Sequence, residues 1–127
     1  MSKHTISDAE LEIMRIIWSE GGRVFLSLLM EKLSGLGKKW KANTVLTFLA
    51  RLVEKDVLKV EKLGRFNEYV AVCSESDYTA TLTQSFLGKF FEGNAKNLVA
   101  SLLKQDCLSE QDFSELQEFW KDKGGNL

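Results

Sequence analysis

Residues 43–72 read NTVLTFLARLVEKDVLKVEKLGRFNEYVAV, and this stretch decides the fold. Val45, Phe48, Leu49, Leu52 and Val53 fall at i, i+3, i+4, i+7 and i+8. That spacing lines one side of an α-helix, and the pattern runs to about Lys55. Residues 57–62 and 67–72 are then two short β-prone runs. The link Leu63-Gly64-Arg65-Phe66 between them places glycine at a left-handed turn position, which predicts a hairpin.

Working outward, Ser7-Asp8-Ala9-Glu10 has the Ser-x-x-Glu form in which a hydroxyl and a carboxylate satisfy free amides at a helix start. Leu11, Met14, Ile17 and Trp18 form the apolar stripe of that first helix, and Gly21-Gly22 ends it. A shorter second helix is expected from about Phe25 to Leu33, with Leu28, Leu29, Leu33 and Leu36 at helical spacing. Three helices followed by a hairpin is the order of a winged helix.

Beyond Ser74 the pattern is helical throughout. Tyr78, Leu82, Phe86 and Phe90 recur at steps of four, and Leu98, Val99, Leu102 and Leu103 follow Gly93-Asn94. Ser109-Glu110-Gln111-Asp112 then opens a last helix that stacks Phe113, Leu116, Phe119 and Trp120 before Gly124-Gly125. The expected architecture is mainly α: a winged helix-turn-helix domain over 1–75, built of three helices and a β-hairpin wing, and a C-terminal helical dimerisation domain over 76–127. Chains of fewer than about 70 residues seldom bury an adequate core alone. A second copy is the natural cover for Phe86, Phe90, Leu98, Leu102, Phe113, Leu116, Phe119 and Trp120. The alternative is that these helices fold back on their own winged helix.

The chain has 127 residues, the size of one domain or of one domain with a helical appendage, and contains no proline to interrupt its helices. Its 17 basic and 18 acidic side chains leave a net charge of -1. The charge is uneven. From Lys38 to Arg65 eight basic residues face three acidic ones, a local +5, whereas from Ser76 onward five face eight, giving -3. The longest uncharged apolar stretch, Val24 to Met30, is far short of the roughly 18 residues of a membrane span, so a cytoplasmic protein is expected. Cys73 and Cys107 lack metal-ligand spacing and read as small buried hydrophobes. The single histidine, His4, supplies no base for a nucleophilic thiol. Neither metal, cofactor nor enzymatic activity is expected.

Basic charge over a third helix and its hairpin suits a helix in the major groove with a wing beside the phosphates. Lys41 at the start of the helix, and Asn43, Thr44, Thr47 and Arg51 opposite its apolar stripe, are the candidate contacts, with Lys62 and Arg65 in the wing. Asn pairs with adenine, Thr meets a thymine methyl or a phosphate, and Arg or Lys holds phosphate or guanine. Nucleic acid, as double-stranded DNA entered through its major groove, is therefore the leading partner. A solvated helix face is the plainer reading of the same residues, and a winged helix that docks only protein is the second functional reading.

These residues also carry a resemblance. Ile6-Ser7-Asp8-Ala9-Glu10 with Ile16-Ile17-Trp18, then Trp40, Thr44-Val45, Thr47, Leu49 and Arg51-Leu52-Val53, then Gly64-Arg65 and Tyr69 resemble the penicillinase-repressor family, of the BlaI, MecI and CopY type. Ser85-Phe86-Leu87, Leu98-Val99 and Leu108-Ser109-Glu110 extend the likeness over nearly the whole chain. The resemblance implies a winged-helix transcriptional repressor that binds a palindromic operator as a homodimer and is released by an inducing signal. Members usually read Trp-Ser-Pro-Lys-Thr where this chain has Trp40-Lys41-Ala42-Asn43-Thr44. The capping hydroxyl is missing, and an Asn43 used as the cap would not be free to read a base. Leu46 stands where the family often has a cation, which implies a different operator preference. In penicillinase-type members, cleavage that depends on a membrane sensor protease falls at an Asn-Phe bond in the helix matching 97–104. The aligned pair here is Ser101-Leu102. Copper-responsive members carry C-terminal Cys-x-Cys pairs, which are absent from 122–127, so metal induction by that route is not expected.

Overall fold

A computed structural model describes residues 5–124. His4 and Gly125 lie outside the described residues. The chain divides into two compact units, the first running through Leu82 and the second beginning at Thr83.

In the first unit, helix α1 (Asp8–Ser19) starts on the expected capping box. The Glu10 amide donates to Ser7 Oγ at 3.2 Å, and the Ser7 amide donates to Glu10 Oε1 at 2.9 Å. The helix ends where Gly21 and Gly22 take φ of +88° and +95°, conformations that disfavour side chains. Its buried residues are Glu10, Ile13, Met14, Ile16 and Ile17. The core face is therefore wider than the Leu11, Met14, Ile17, Trp18 stripe, and Leu11 and Trp18 are only half-buried on its flanks.

A three-residue strand, β1 (Arg23–Phe25), leads directly into α2 (Leu26–Gly35). Leu29 and Leu33 of α2 are buried, but Leu36 caps the helix and is 65% exposed, so it lies outside the core. Helix α3 (Ala42–Glu54) buries Val45, Leu49 and Leu52, with Phe48 and Val53 half-buried beside them. Trp40 packs edge-on against Phe48 at 5.4 Å between ring centroids, tying the α2–α3 loop to α3.

The hairpin strands are β2 (Leu58–Leu63) and β3 (Phe66–Ala71). Gly64 and Arg65 alone connect them, Gly64 at φ +64°, and Leu63 pairs with Phe66 inside the ladder. Strand β1 pairs antiparallel with β3, Val24 opposite Tyr69, to give the sheet order β1-β3-β2. Val24, Val57, Leu58 and Tyr69 close the core formed by the three helices. The structure is thus mainly helical with a small three-stranded antiparallel sheet, a winged helix.

Helix α4 (Glu75–Phe91) begins within the first unit. Tyr78 is buried there against Trp18 at 5.7 Å, and Trp18 Nε1 donates to the Cys73 carbonyl at 2.9 Å. In the second unit α5 (Ala95–Lys104) follows the turn at Glu92 and Gly93, both at positive φ, and is capped by Asn94. Helix α6 (Glu110–Gly124) starts on a reciprocal pair at 3.0 Å, the Asp112 amide donating to Ser109 Oγ and the Ser109 amide to Asp112 Oδ2. No described residue of α5 or α6 is buried in the single chain. None of the described helices is long and apolar enough to cross a membrane.

Candidate nucleic-acid interface

The surface of α3 follows from its core. At 100° per residue, Val45, Leu49 and Leu52 define one side of the helix. The strip diametrically opposite them carries Asn43, Thr47, Ala50 and Glu54, with Thr44 and Arg51 on one flank and Leu46 on the other. Every one of these seven side chains is exposed. The negative charge of Glu54 falls in the last turn, so the surface compatible with phosphate occupies the turns from Lys41 to Arg51.

The entry to α3 places Lys41, not Asn43, at the cap. The N-cap is Lys41, at φ -76° and ψ 155°, and it makes no side-chain cap bond. Asn43 lies inside the first turn, exposed, and is not spent on capping. Thr47 Oγ1 donates to the Asn43 carbonyl at 3.0 Å. Its hydroxyl proton is thereby committed to the helix, which leaves the methyl group and a lone pair for any outside contact.

Ion pairing sorts the cations. Lys38 lies 3.1 Å from Glu12, Lys55 2.7 Å from Glu10 and Lys59 3.3 Å from Glu61. Arg23 on β1 pairs with Glu61 at 2.5 Å and Glu68 at 3.2 Å. Lys39, Lys41, Arg51, Lys62 and Arg65 form no ion pair among the described residues, and all five are exposed. The structure thus separates cations paired within the fold from cations without an ion pair among the described residues. It adds Lys39, counted in the local charge but not among the sequence candidates. Lys38 differs from Lys39 by its pairing with Glu12 and its place over the Trp40 ring, neither of which the sequence displays.

The tail candidates divide by exposure. Phe119 and Trp120 are 72% and 70% exposed and Phe90 is 69% exposed, while Phe86, Phe113 and Leu116 are exposed to a lesser degree. Leu98 and Leu102 are half-buried on α5. Phe86 stacks with Phe90 and Phe91, at 5.0 and 5.9 Å between centroids. Ser101 and Leu102 sit half-buried in the body of α5, where Gln105 Nε2 donates to Ser101 Oγ at 2.9 Å. Of the thiols, Cys107 is exposed, contrary to its reading as a buried hydrophobe, and Cys73 is half-buried. Burial and the nearby Asp77 carboxylate push the Cys73 thiol up from its ordinary value. No three metal-binding side chains converge among the described residues.

A three-helix core followed by a short hairpin wing, with an exposed outer surface on α3, defines a winged-helix protein. The family model described as penicillinase repressor matches residues 6–122, and the chain belongs to that family. It is 35% identical over 113 residues to the penicillinase repressor of Bacillus licheniformis, covering 89% of this chain and 87% of that protein. The structure is similar to the solution structure of the DNA binding domain of the repressor BlaI, with TM-score 0.52 and 38% identity, covering 61% of this chain and 94% of that one. It is also similar to the Bacillus licheniformis BlaI monomeric form solved in complex with the blaP half-operator, with TM-score 0.50 and 37% identity, covering 59% and 89% of the two chains.

Proposed function

We propose that this chain is a DNA-binding transcriptional repressor that works in the cytoplasm, binds a palindromic operator as a homodimer and is released on an inducing signal. The observation that carries the reading is the outer surface of α3, where exposed Asn43, Thr44 and Thr47 lie between the unpaired cations Lys41 and Arg51. The likeness to a repressor solved on half-operator DNA supports it. In this reading residues 1–75 form the DNA-binding domain, with Lys62 and Arg65 of the wing on the adjacent backbone. Residues 76–127 form the dimerisation domain, which sets two α3 helices about one DNA turn, roughly 34 Å, apart.

Release follows from the tail. In the proteolytic route that the family likeness implies, a cut by a membrane sensor protease, or by a protease acting downstream of it, would fall at Ser101-Leu102, which replaces the Asn-Phe pair, and would separate α6 with Phe113, Leu116, Phe119 and Trp120 from the rest of the chain. Titrating the full chain against DNA from upstream of its own gene, across a salt series, tests the proposal. We expect specific binding whose log K falls linearly with log salt. Binding to a protein partner with no preference for any promoter DNA would instead identify a protein-docking module.

A further inference from the structure

We propose that Leu46 and Ala50, together with the methyl group of Thr47, form an apolar reading surface on α3 that recognises the 5-methyl groups of thymines in the operator half-site. The inference rests on the DNA-binding reading above and deepens it by naming what the helix reads. Position 50 lies one turn from both 46 and 47, at i+4 and i+3, so Ala50 joins Leu46 on the flank to Thr47 on the central strip. All three side chains are exposed, Leu46 by 36%. The Thr47 hydroxyl donates to the Asn43 carbonyl, so its proton is spent within the helix and the methyl group is the apolar part left to an outside contact.

The charge around this patch points the same way. Between Lys41 and Arg51 the exposed residues of α3 carry no charge, so no Arg or Lys stands on the central strip to grip guanine O6 and N7 bidentately. The strip offers an amide, Asn43, suited to adenine N6 and N7, and next to it three apolar groups. In the major groove the thymine methyl is the one base-edge feature that an apolar group complements. Thymine and adenine are therefore the bases this helix can distinguish, while Lys41 and Arg51 at its margins hold backbone.

The probe is deoxyuridine, which keeps the base pairing of thymine and lacks only the methyl group. Duplexes preferred by the full chain are first selected from a random pool, and the best is resynthesised with deoxyuridine for thymine. Each methyl group buried against protein strengthens binding by about fourfold. We expect the substituted duplex to bind about 15-fold more weakly, as two contacted methyls require. Leu46→Ser and Ala50→Ser, both exposed positions that leave the core untouched, are expected to bring the thymine-to-deoxyuridine ratio toward one while retaining salt-dependent binding. Circular dichroism confirms that the variants fold. Equal affinity of the natural chain for the two duplexes, or a ratio unchanged by both substitutions, overturns the inference and leaves the DNA-binding reading standing. A pool that yields no preferred duplex overturns both.

Discussion

Glu10 illustrates how one side chain can serve local and long-range structure at once. It completes the capping box of α1 and accepts from Lys55 Nζ at 2.7 Å, and Lys55 also donates to the Thr5 carbonyl at 3.1 Å. At 1% exposure it is the one charged residue in the described core. Burial pushes its carboxyl up, but the hydrogen bonds from Lys55 and Ser7 and the Lys55 charge outweigh that and hold it below its ordinary 4.5. A carboxyl depressed in the folded state contributes stability that is present above the unfolded value and lost as pH falls through the folded one. Acid denaturation of Glu10→Gln is therefore expected to show a shallower loss of stability below about pH 4.5 than the natural chain. At neutral pH, Lys55→Ala is expected to cost on the order of 3 kcal/mol, because it strands a buried carboxylate, as urea unfolding would measure. Tyr78 presents the opposite case. Burial, with Cys73 and Glu10 nearby, raises its ionisation above the ordinary value against the opposing effect of the Ile6 backbone. The Ser7 and Glu10 cap was legible from four letters because a capping box is a local interaction. The Lys55 pairing was not, since it joins residues 45 apart in sequence.

At the scale of elements, α3 was readable because its core stripe is unbroken and long, whereas β1 was not. Arg23-Val24-Phe25 is too short to display a period of two, and its strand character comes from pairing with β3 across the sheet. The same limit moved the hairpin boundaries, because Leu63 and Phe66 read as loop in sequence but are held as a ladder pair by the tight Gly64-Arg65 connection. The candidate site was legible as a helix face. The sorting of its cations was not, because pairing partners such as Glu12 for Lys38 lie on other elements. The entry to α3 sets stability against function. Lys41 occupies an N-cap position with no side-chain bond to the free amides, where a serine hydroxyl supplies one. Lys41→Ser is expected to raise stability by about 1 kcal/mol, seen as a higher melting temperature. If Lys41 holds a phosphate, the same substitution flattens the slope of log K against log salt by about one. Arg51→Ala, at the C-terminal end of the same surface, is expected to weaken operator binding and flatten that slope without the gain in stability.

For the whole molecule, the contrast between the two units is one of burial. The first unit encloses a contiguous core from Ile13 to Tyr78, whereas α5 and α6 contribute no described residue to any core and leave Phe119 and Trp120 more than two-thirds exposed. Large aromatics in this state are where a partner surface gains most, since a central tryptophan at an interface commonly contributes 2 kcal/mol or more. In the proposed dimer Trp120 takes that place. Trp120→Ala is then expected to weaken self-association by about 30-fold or more, converting dimer to monomer in sedimentation at concentrations where the natural chain remains paired. The consequence for DNA separates this role from a contact to the operator. A duplex bearing one half-site should bind the variant as well as the natural chain, because α3 is untouched, while the full palindrome should lose the advantage that linking two half-sites confers. An unchanged sedimentation mass at low concentration would show that Trp120 is not at the dimer interface, and equal losses on half-site and palindrome would place it on the DNA side instead.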